Sequence, residues 1–385
     1  MLSNKTSKRI LISCIFIVFF AGVYLLNSTM NYHKPEDMPV GIVYENAVVT
    51  NIVSEVLEPD PDFPYINIGK QQVELKILKG ENKGRIITVN NFIGRVDNRP
   101  LKIGNKVVIS SYDDFVTTTI VNYNRENAMY ILLAIFVLVV ILVGKSKGVK
   151  SLLALVFTMI CVIFLLIPLV IKGMNPILAS IIVVILSTLV TMLSLNGLSK
   201  KTIVAISSCI LCTVIAGIVA YVFGAVTNVS SYNTAEAQDL LFVAMKTPIK
   251  IRDILFAEIL ISSLGATMDT TMSMASSIFE MKSINNSMTK MQLLKSGMNI
   301  GKDIMGTMTN TLILAFTGSS INILIIYYMY SMPYMQLINM DLIVIELIQG
   351  LSGGIAVMLS IPITAIMAST VACRKINNKY IEKYL

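Results

Sequence analysis

A few acidic residues set in strongly apolar sequence are the positions of this chain best placed to do chemistry. Glu258 and Asp269 are eleven positions apart. At about 100° per residue they point within about 20° of one another on a helix, separated by about 16.5 Å along its axis. Ser262, Gly265, Ser273 and Ser276 fall on the same side. One helix face thus carries two acids with small residues between them. A second stretch repeats the pattern, with Asp303, Gly306, Thr307 and Asn310 on one face. A third carries Glu346, Gln349, the cluster Gly350-Leu351-Ser352-Gly353-Gly354, and then Pro362. An ionised carboxylate at the centre of a bilayer costs on the order of 3 kcal/mol or more, so such acids must face one another, a cation or water. The chemistry they suit is binding of a proton or cation, beside unwound backbone that coordinates a solute. A plainer reading stays open for Asp253, Glu280 and Asp303. These are charges at helix ends in the headgroup zone, and Asp253 and Asp303 sit near helix N-termini, where acids are stabilised. Glu258, Asp269 and Glu346 are the stronger candidates for a polar pathway, with Asp303 and Asn310 beside them.

The elements that must hold these residues are read from hydropathy. Of 385 residues, 55% are hydrophobic and 14% charged, against roughly 25% charged in soluble domains. The apolar residues come in unbroken blocks, and about 20 in a row span a bilayer as a helix. The expected fold is an α-helical integral membrane protein with about eight transmembrane helices, at 10–26, 129–144, 150–171, 177–195, 203–226, 252–279, 304–328 and 341–373. The first reads as an uncleaved anchor, because no small-x-small cleavage pattern follows it. The last apolar run is long enough to tilt, protrude or break, and the glycine cluster and Pro362 are the natural breaking points. Orientation follows from Lys and Arg. With the N-terminus inside, sixteen basic residues fall in the cytoplasmic segments, from Lys5 to Lys383, and four (Lys172, Lys246, Lys250 and Arg252) in the short outer ones. Tyr24, Tyr130, Tyr221, Tyr327, Tyr328, Tyr330 and Tyr334 fall near the outer interface. The net charge of +8 is therefore a topology signal, and nucleic acid is excluded as a partner.

Residues 28–127 are of a different composition. Short alternating runs at 40–56, 71–78, 85–92, 106–111 and 115–123 read as strands. Val73, Leu75 and Ile77 alternate with Glu74 and Lys76, and Gly80 to Gly84 reads as a hairpin turn. Five short strands make a small β-rich domain, a barrel or sandwich of OB type, placed outside the cytoplasm. The domain plan is an anchor at 1–27, an extracytoplasmic β-rich domain at 28–127, a seven-helix membrane domain at 128–373 and a cytoplasmic tail at 374–385.

Much chemistry is excluded. The one histidine, His33, lies in a linker without a partner. Cys14, Cys161, Cys209, Cys212 and Cys373 all lie in or at the end of apolar blocks, so no disulfide framework is implied. Cys209 and Cys212 have redox-motif spacing but sit inside a membrane helix, where they read as packing residues. The methionines from Met268 to Met308 invite a copper reading, yet methionine also fills gaps in cores. No nucleotide-binding motif occurs. An intramembrane aspartyl protease would need Asp269 and Asp303 on facing helices, and neither lies in a Gly-x-Gly-Asp or Tyr-Asp context. No enzyme activity, cofactor or metal is expected.

The stretches Gly265-Ala-Thr-Met-Asp269-Thr-Thr-Met-Ser273-Met-Ala-Ser276-Ser277 and Gly301-Lys302-Asp303-Ile-Met-Gly306-Thr-Met-Thr-Asn310-Thr-Leu-Ile-Leu-Ala315 resemble the two hallmark segments of the YibE/F family of bacterial multi-pass membrane proteins. The layout is similar too, with an anchor, a β-rich outer segment and seven helices. The resemblance implies a bacterial cell-membrane protein and supplies no substrate. The expected function is an ion-coupled secondary transporter or permease for a small solute or ion. The alternative is an envelope scaffold or sensor that binds a protein partner through its outer domain.

Overall fold

The computed structural model describes residues 21–29, 42–80, 82–112, 115 and 117–374. His33, Cys14 and most of the expected first span lie outside the described residues. The chain divides into two compact units, residues 32–139 and residues 1–31 with 140–385.

The smaller unit holds one five-stranded antiparallel sheet. Its strands are β1 (Val43–Pro59), β2 (Asn67–Ile77), β3 (Ile86–Ile93), β4 (Lys106–Tyr112) and β5 (Thr117–Tyr123), in the order β3-β2-β1-β4-β5. The sheet curls, so that Cα atoms of the two edge strands β3 and β5 come within 8 Å of each other. The long strand β1 makes this possible. It pairs with both β2 and β4, and carries register shifts between Val49 and Asn51 and between Ile52 and Ser54, where a bulge bends a strand and raises its twist. Period-2 alternation turns Val73, Leu75 and Ile77 into the core with Ala47, Val49, Val107 and Ile109. Gly80 and Gly84 of the β2–β3 connection have φ of 88° and 91°, which glycine adopts without steric cost.

Two polar devices tie loops to this sheet. The buried Gln71 donates to Leu101 O at 2.9 Å and accepts from Leu101 N at 2.8 Å. Asp60 accepts from the backbone N–H of Asp62 at 2.9 Å and of Phe63 at 3.0 Å, and from Arg95 Nε at 2.5 Å. These bonds satisfy groups that burial would otherwise leave unpaired.

The larger unit is helical, and the first helix after the sheet starts among residues of the smaller unit. α1 (Glu126–Cys161) is followed by a π-helical turn at Val162–Leu166 and a last turn at Ile167–Ile171. α1 contains one non-helical residue, Lys145, with φ 46° and ψ −129°. Lys145 is a kink between two helices, so the helices expected at 129–144 and 150–171 are both found, as the two arms of α1. A Cβ on Gly148 would stand 2.2 Å from the carbonyl oxygen of Val140, so glycine permits the close approach of the arms. Then come α2 (Pro176–Asn196), α3 (Lys200–Thr227), α4 (Ala237–Lys246), α5 (Ile254–Ile284), α6 (Lys290–Ser319), α7 (Ile321–Met329) and α8 (Asp341–Cys373). Capping fixes several starts. Asn175 Oδ1 accepts from Ile177 N ahead of Pro176, and Thr289 forms a capping box with Gln292.

Among the described residues four helical stretches are long and apolar enough to cross a membrane: Glu126–Ile171, Pro176–Asn196, Lys200–Thr227 and Asp341–Cys373. The pair α6 and α7, bent by 62°, makes up to five. α5 has 31 residues and carries Glu258 and Asp269 within them. Of the outcomes left open for the last helix, to tilt, protrude or break, breaking is not the one found. α8 runs unbroken for 33 residues with Pro362 inside it, and its glycines serve packing instead. A Cβ on Gly353 would meet Leu312 Cδ2 at 2.8 Å. The break falls instead at Ser320, in the stretch expected to form a single span at 304–328. The helix α4 lies in a stretch assigned to no element. Its apolar residues are too few for a span.

α5 is the hub of this unit and packs on α2, α3, α6 and α8. Its Leu264, Met274 and Ile278 join Val184 and Met192 of α2, Val204 and Cys209 of α3, Leu293 of α6 and Ile361 of α8 in one core. Buried hydroxyls along α5 bond to their own helix, Thr267 Oγ1 to Ser263 O at 2.9 Å and Thr270 Oγ1 to Ala266 O at 2.7 Å. They let helices approach closely without an orphaned polar group.

Candidate functional site

Burial on α5 is one-sided. Leu255, Ile259, Ser263, Thr267, Thr270, Met274 and Ile278 are buried, whereas Glu258, Ser262, Gly265, Asp269 and Ser273 are exposed. The helical period that aligns the two acids also aligns them with the uncovered side. A Cβ on Gly265 would meet nothing within 4 Å, so the stripe is open between the two carboxylates. Neither Glu258 nor Asp269 makes a side-chain hydrogen bond or ion pair among the described residues.

At one end of the stripe Glu258 and Ser262 line a cavity of about 600 Å³ with Gln349 of α8. Its walls come from the π turn and the segment after it, from α4 through Leu240 and Val243, and from Ile254 and Ile261 of α5. The register of α8 places Gln349 one turn beyond Glu346, which puts both near the same face. Glu346 itself lines a second, smaller cavity of about 180 Å³ with Thr317 and Ser320. There Ser320 Oγ donates to Glu346 Oε1 at 2.5 Å, and Glu346 Oε2 is buried without a hydrogen-bond partner.

Asp303 and Asn310 lie with Gly306 and Thr307 on an exposed face of α6. The structure does not bring them into either cavity. Asp253 has a structural partner: its Oδ2 accepts from Asn175 Nδ2 at 2.7 Å, linking the start of α5 to the N-cap of α2. Among the described residues no three His, Cys, Asp or Glu side chains gather as a metal site would need. Cys161, Cys209 and Cys212 are free and buried.

Two contributors escaped the sequence reading. Ser320 could have been found from the run Gly318-Ser319-Ser320, because Gly/Ser pairs are sites of sharp helix kinks. α4 could have been found from Leu240 and Val243, three positions apart between Asp239 and Lys246, which is the spacing of an amphipathic helix.

The family described as YibE/F-like protein has a model that matches residues 132–374. No curated protein and no solved structure matches the chain. The matched segment covers more than half of the 385 residues and includes both hallmark segments, with Asp269 on α5 and Asp303 on α6. The chain belongs to the YibE/F-like family.

Proposed function

We propose that this protein is a multi-pass protein of the bacterial cell membrane that works as an ion-coupled secondary transporter or permease. The observation that carries the reading is the uncovered face of α5. A helix packed at the centre of its unit would ordinarily bury its most polar side against neighbours. Here the side with Glu258, Ser262, Gly265, Asp269 and Ser273 is left open, and carboxylates within a membrane segment that meet water mark ion and solute pathways. The bend between α6 and α7, with Glu346 beside it, adds a discontinuous helix of the kind that supplies coordinating groups at membrane depth. In this reading eight spans include one at 10–26 and two arms of α1. Both termini are cytoplasmic, residues 28–127 are outside, and residues 374–385 form a cytoplasmic tail. The reading calls on no catalysis and no cofactor.

The test is water access along α5. Single cysteines at Glu258, Ser262, Gly265, Asp269 and Ser273, in a background without native cysteines, are treated in intact cells with a small charged thiol reagent. Labelling along the whole row supports a pathway. Silence at every depth, in correctly inserted protein, removes the transporter reading.

A second reading, an envelope scaffold or sensor, is favoured by one feature of the sheet unit. At one end of the β2–β3 hairpin Tyr65, Phe92 and Val96 are 82%, 75% and 84% exposed. Arg95 stacks over Phe63 beside them, 5.3 Å from the ring centroid. Exposed aromatic and Arg residues of this kind anchor protein interfaces. Loss of a co-purifying envelope protein on Phe92→Ser, with thiol labelling of α5 absent, would favour it.

A further inference from the structure

The cavity at Glu258 has the chemistry of a particular ligand class. Its volume of about 600 Å³ lies in the range that holds small organic molecules. The wall is aliphatic, with Leu166, Val170, Val243 and Ile261 among its residues. Only Glu258, Ser262 and Gln349 bring polar side chains, and among the described residues no lysine, arginine or aromatic ring lines it. Glu258 is therefore its one titratable group. A hard metal cation is a poor match, because it demands six or more oxygen ligands or near-ideal octahedral geometry, and three polar side chains in an aliphatic wall do not supply them. An anion meets like charge and no donor cation. A neutral hydrocarbon chain would leave the carboxylate, the amide and the hydroxyl unmatched.

We propose that this cavity is a binding site for an amphipathic organic cation, an ammonium group on an aliphatic body, with Glu258 as its counter-charge, Gln349 and Ser262 as hydrogen-bonding neighbours and α4 as part of its wall. The proposal deepens the transporter reading by naming the class of solute, and rests on it for the direction of use but not for binding.

The test is equilibrium binding to the full chain in phosphatidylcholine nanodiscs, with protein-free discs as background. The probes are n-octylammonium, n-octanol and octanoate, which share a chain and differ in charge. Saturable binding of octylammonium alone is expected, weakened roughly thirty-fold or more by Glu258→Gln. Val243→Trp, which fills the cavity from α4 and keeps the carboxylate, is expected to abolish it and guards against a Glu258 variant that fails to fold. Equal binding of octanol and octylammonium with Glu258→Gln indifferent overturns the proposal and makes the cavity a groove for lipid chains. No saturable binding by any probe, or binding that survives Val243→Trp, also overturns it. Thiol labelling along α5 without octylammonium binding removes the ligand class and leaves the pathway. Binding without labelling does the reverse.

Discussion

Ser320 Oγ donates to Glu346 Oε1 at 2.5 Å, and Ser320 is the residue at which the helix α6 gives way to α7. The hydroxyl thus joins the break in one helix to a carboxylate on another. The other carboxylate oxygen, Glu346 Oε2, is buried and makes no hydrogen bond among the described residues, so Ser320 is the donor that offsets the desolvation of this carboxylate.

Removing that donor should be costly in a specific way. Ser320→Ala is expected to destabilise the helical unit by about 1–3 kcal/mol, because it leaves a buried acceptor wholly unsatisfied. The double variant Ser320→Ala with Glu346→Met is expected to recover most of the loss, since both polar partners are then gone. Thermal unfolding in one detergent compares the three proteins. A double variant less stable than Ser320→Ala alone would mean that the carboxylate is held by something other than the hydroxyl.

Glycines in the helical unit should divide into two kinds. A Cβ on Gly301 of α6 would stand 2.2 Å from Ile361 Cγ2 of α8 and 3.2 Å from Met274 Cε of α5, whereas one on Gly265 meets nothing within 4 Å. Gly301→Ala is therefore expected to cost about 1–3 kcal/mol by overpacking a three-helix contact. Gly265→Ala should be neutral or slightly stabilising, because alanine loses less backbone freedom in a helix. Apparent melting temperatures of the two variants decide the matter. Equal losses would contradict the close packing of α6 on α8.

The sheet unit should respond to acid through Asp60. The hydrogen bond from Arg95 holds its carboxyl below the usual carboxylate value, and the backbone N–H groups of Asp62 and Phe63 act in the same direction against burial. A depressed pKa in the folded state means a stabilising contribution that is complete above the unfolded-chain value of about 3.9 and is lost as pH falls through the lower folded value. Amide protection factors of residues 60–66 are expected to be flat from neutral pH down to about pH 4 and to fall below it. In Asp60→Asn the protection should be low at neutral pH and nearly independent of pH. A wild-type profile without that acid limb would mean that Asp60 does not hold the loop.

The sequence by itself determined what depends on local order along the chain. Alternation at Val73, Leu75 and Ile77 selects the inward face of β2, because a strand turns successive side chains to opposite sides. The spacing of Glu258 and Asp269 puts both acids on one face of α5, because helical period is a local property. The fold family was legible in the segments around Asp269 and Asp303 for the same reason: both are continuous in sequence. What only the tertiary structure decided are relations between distant segments. Pro362 did not break α8, a helix whose Gly353 and Ile361 pack closely against α6. The break fell at Ser320, where the local signal is only the short run Gly318-Ser319-Ser320 and where Glu346, 26 residues away, supplies an acceptor. Likewise Glu258 gains its cavity from α4, α8 and the π turn after α1. A helix face is written in a dozen consecutive residues, but what covers or uncovers that face is set by which other helices pack beside it.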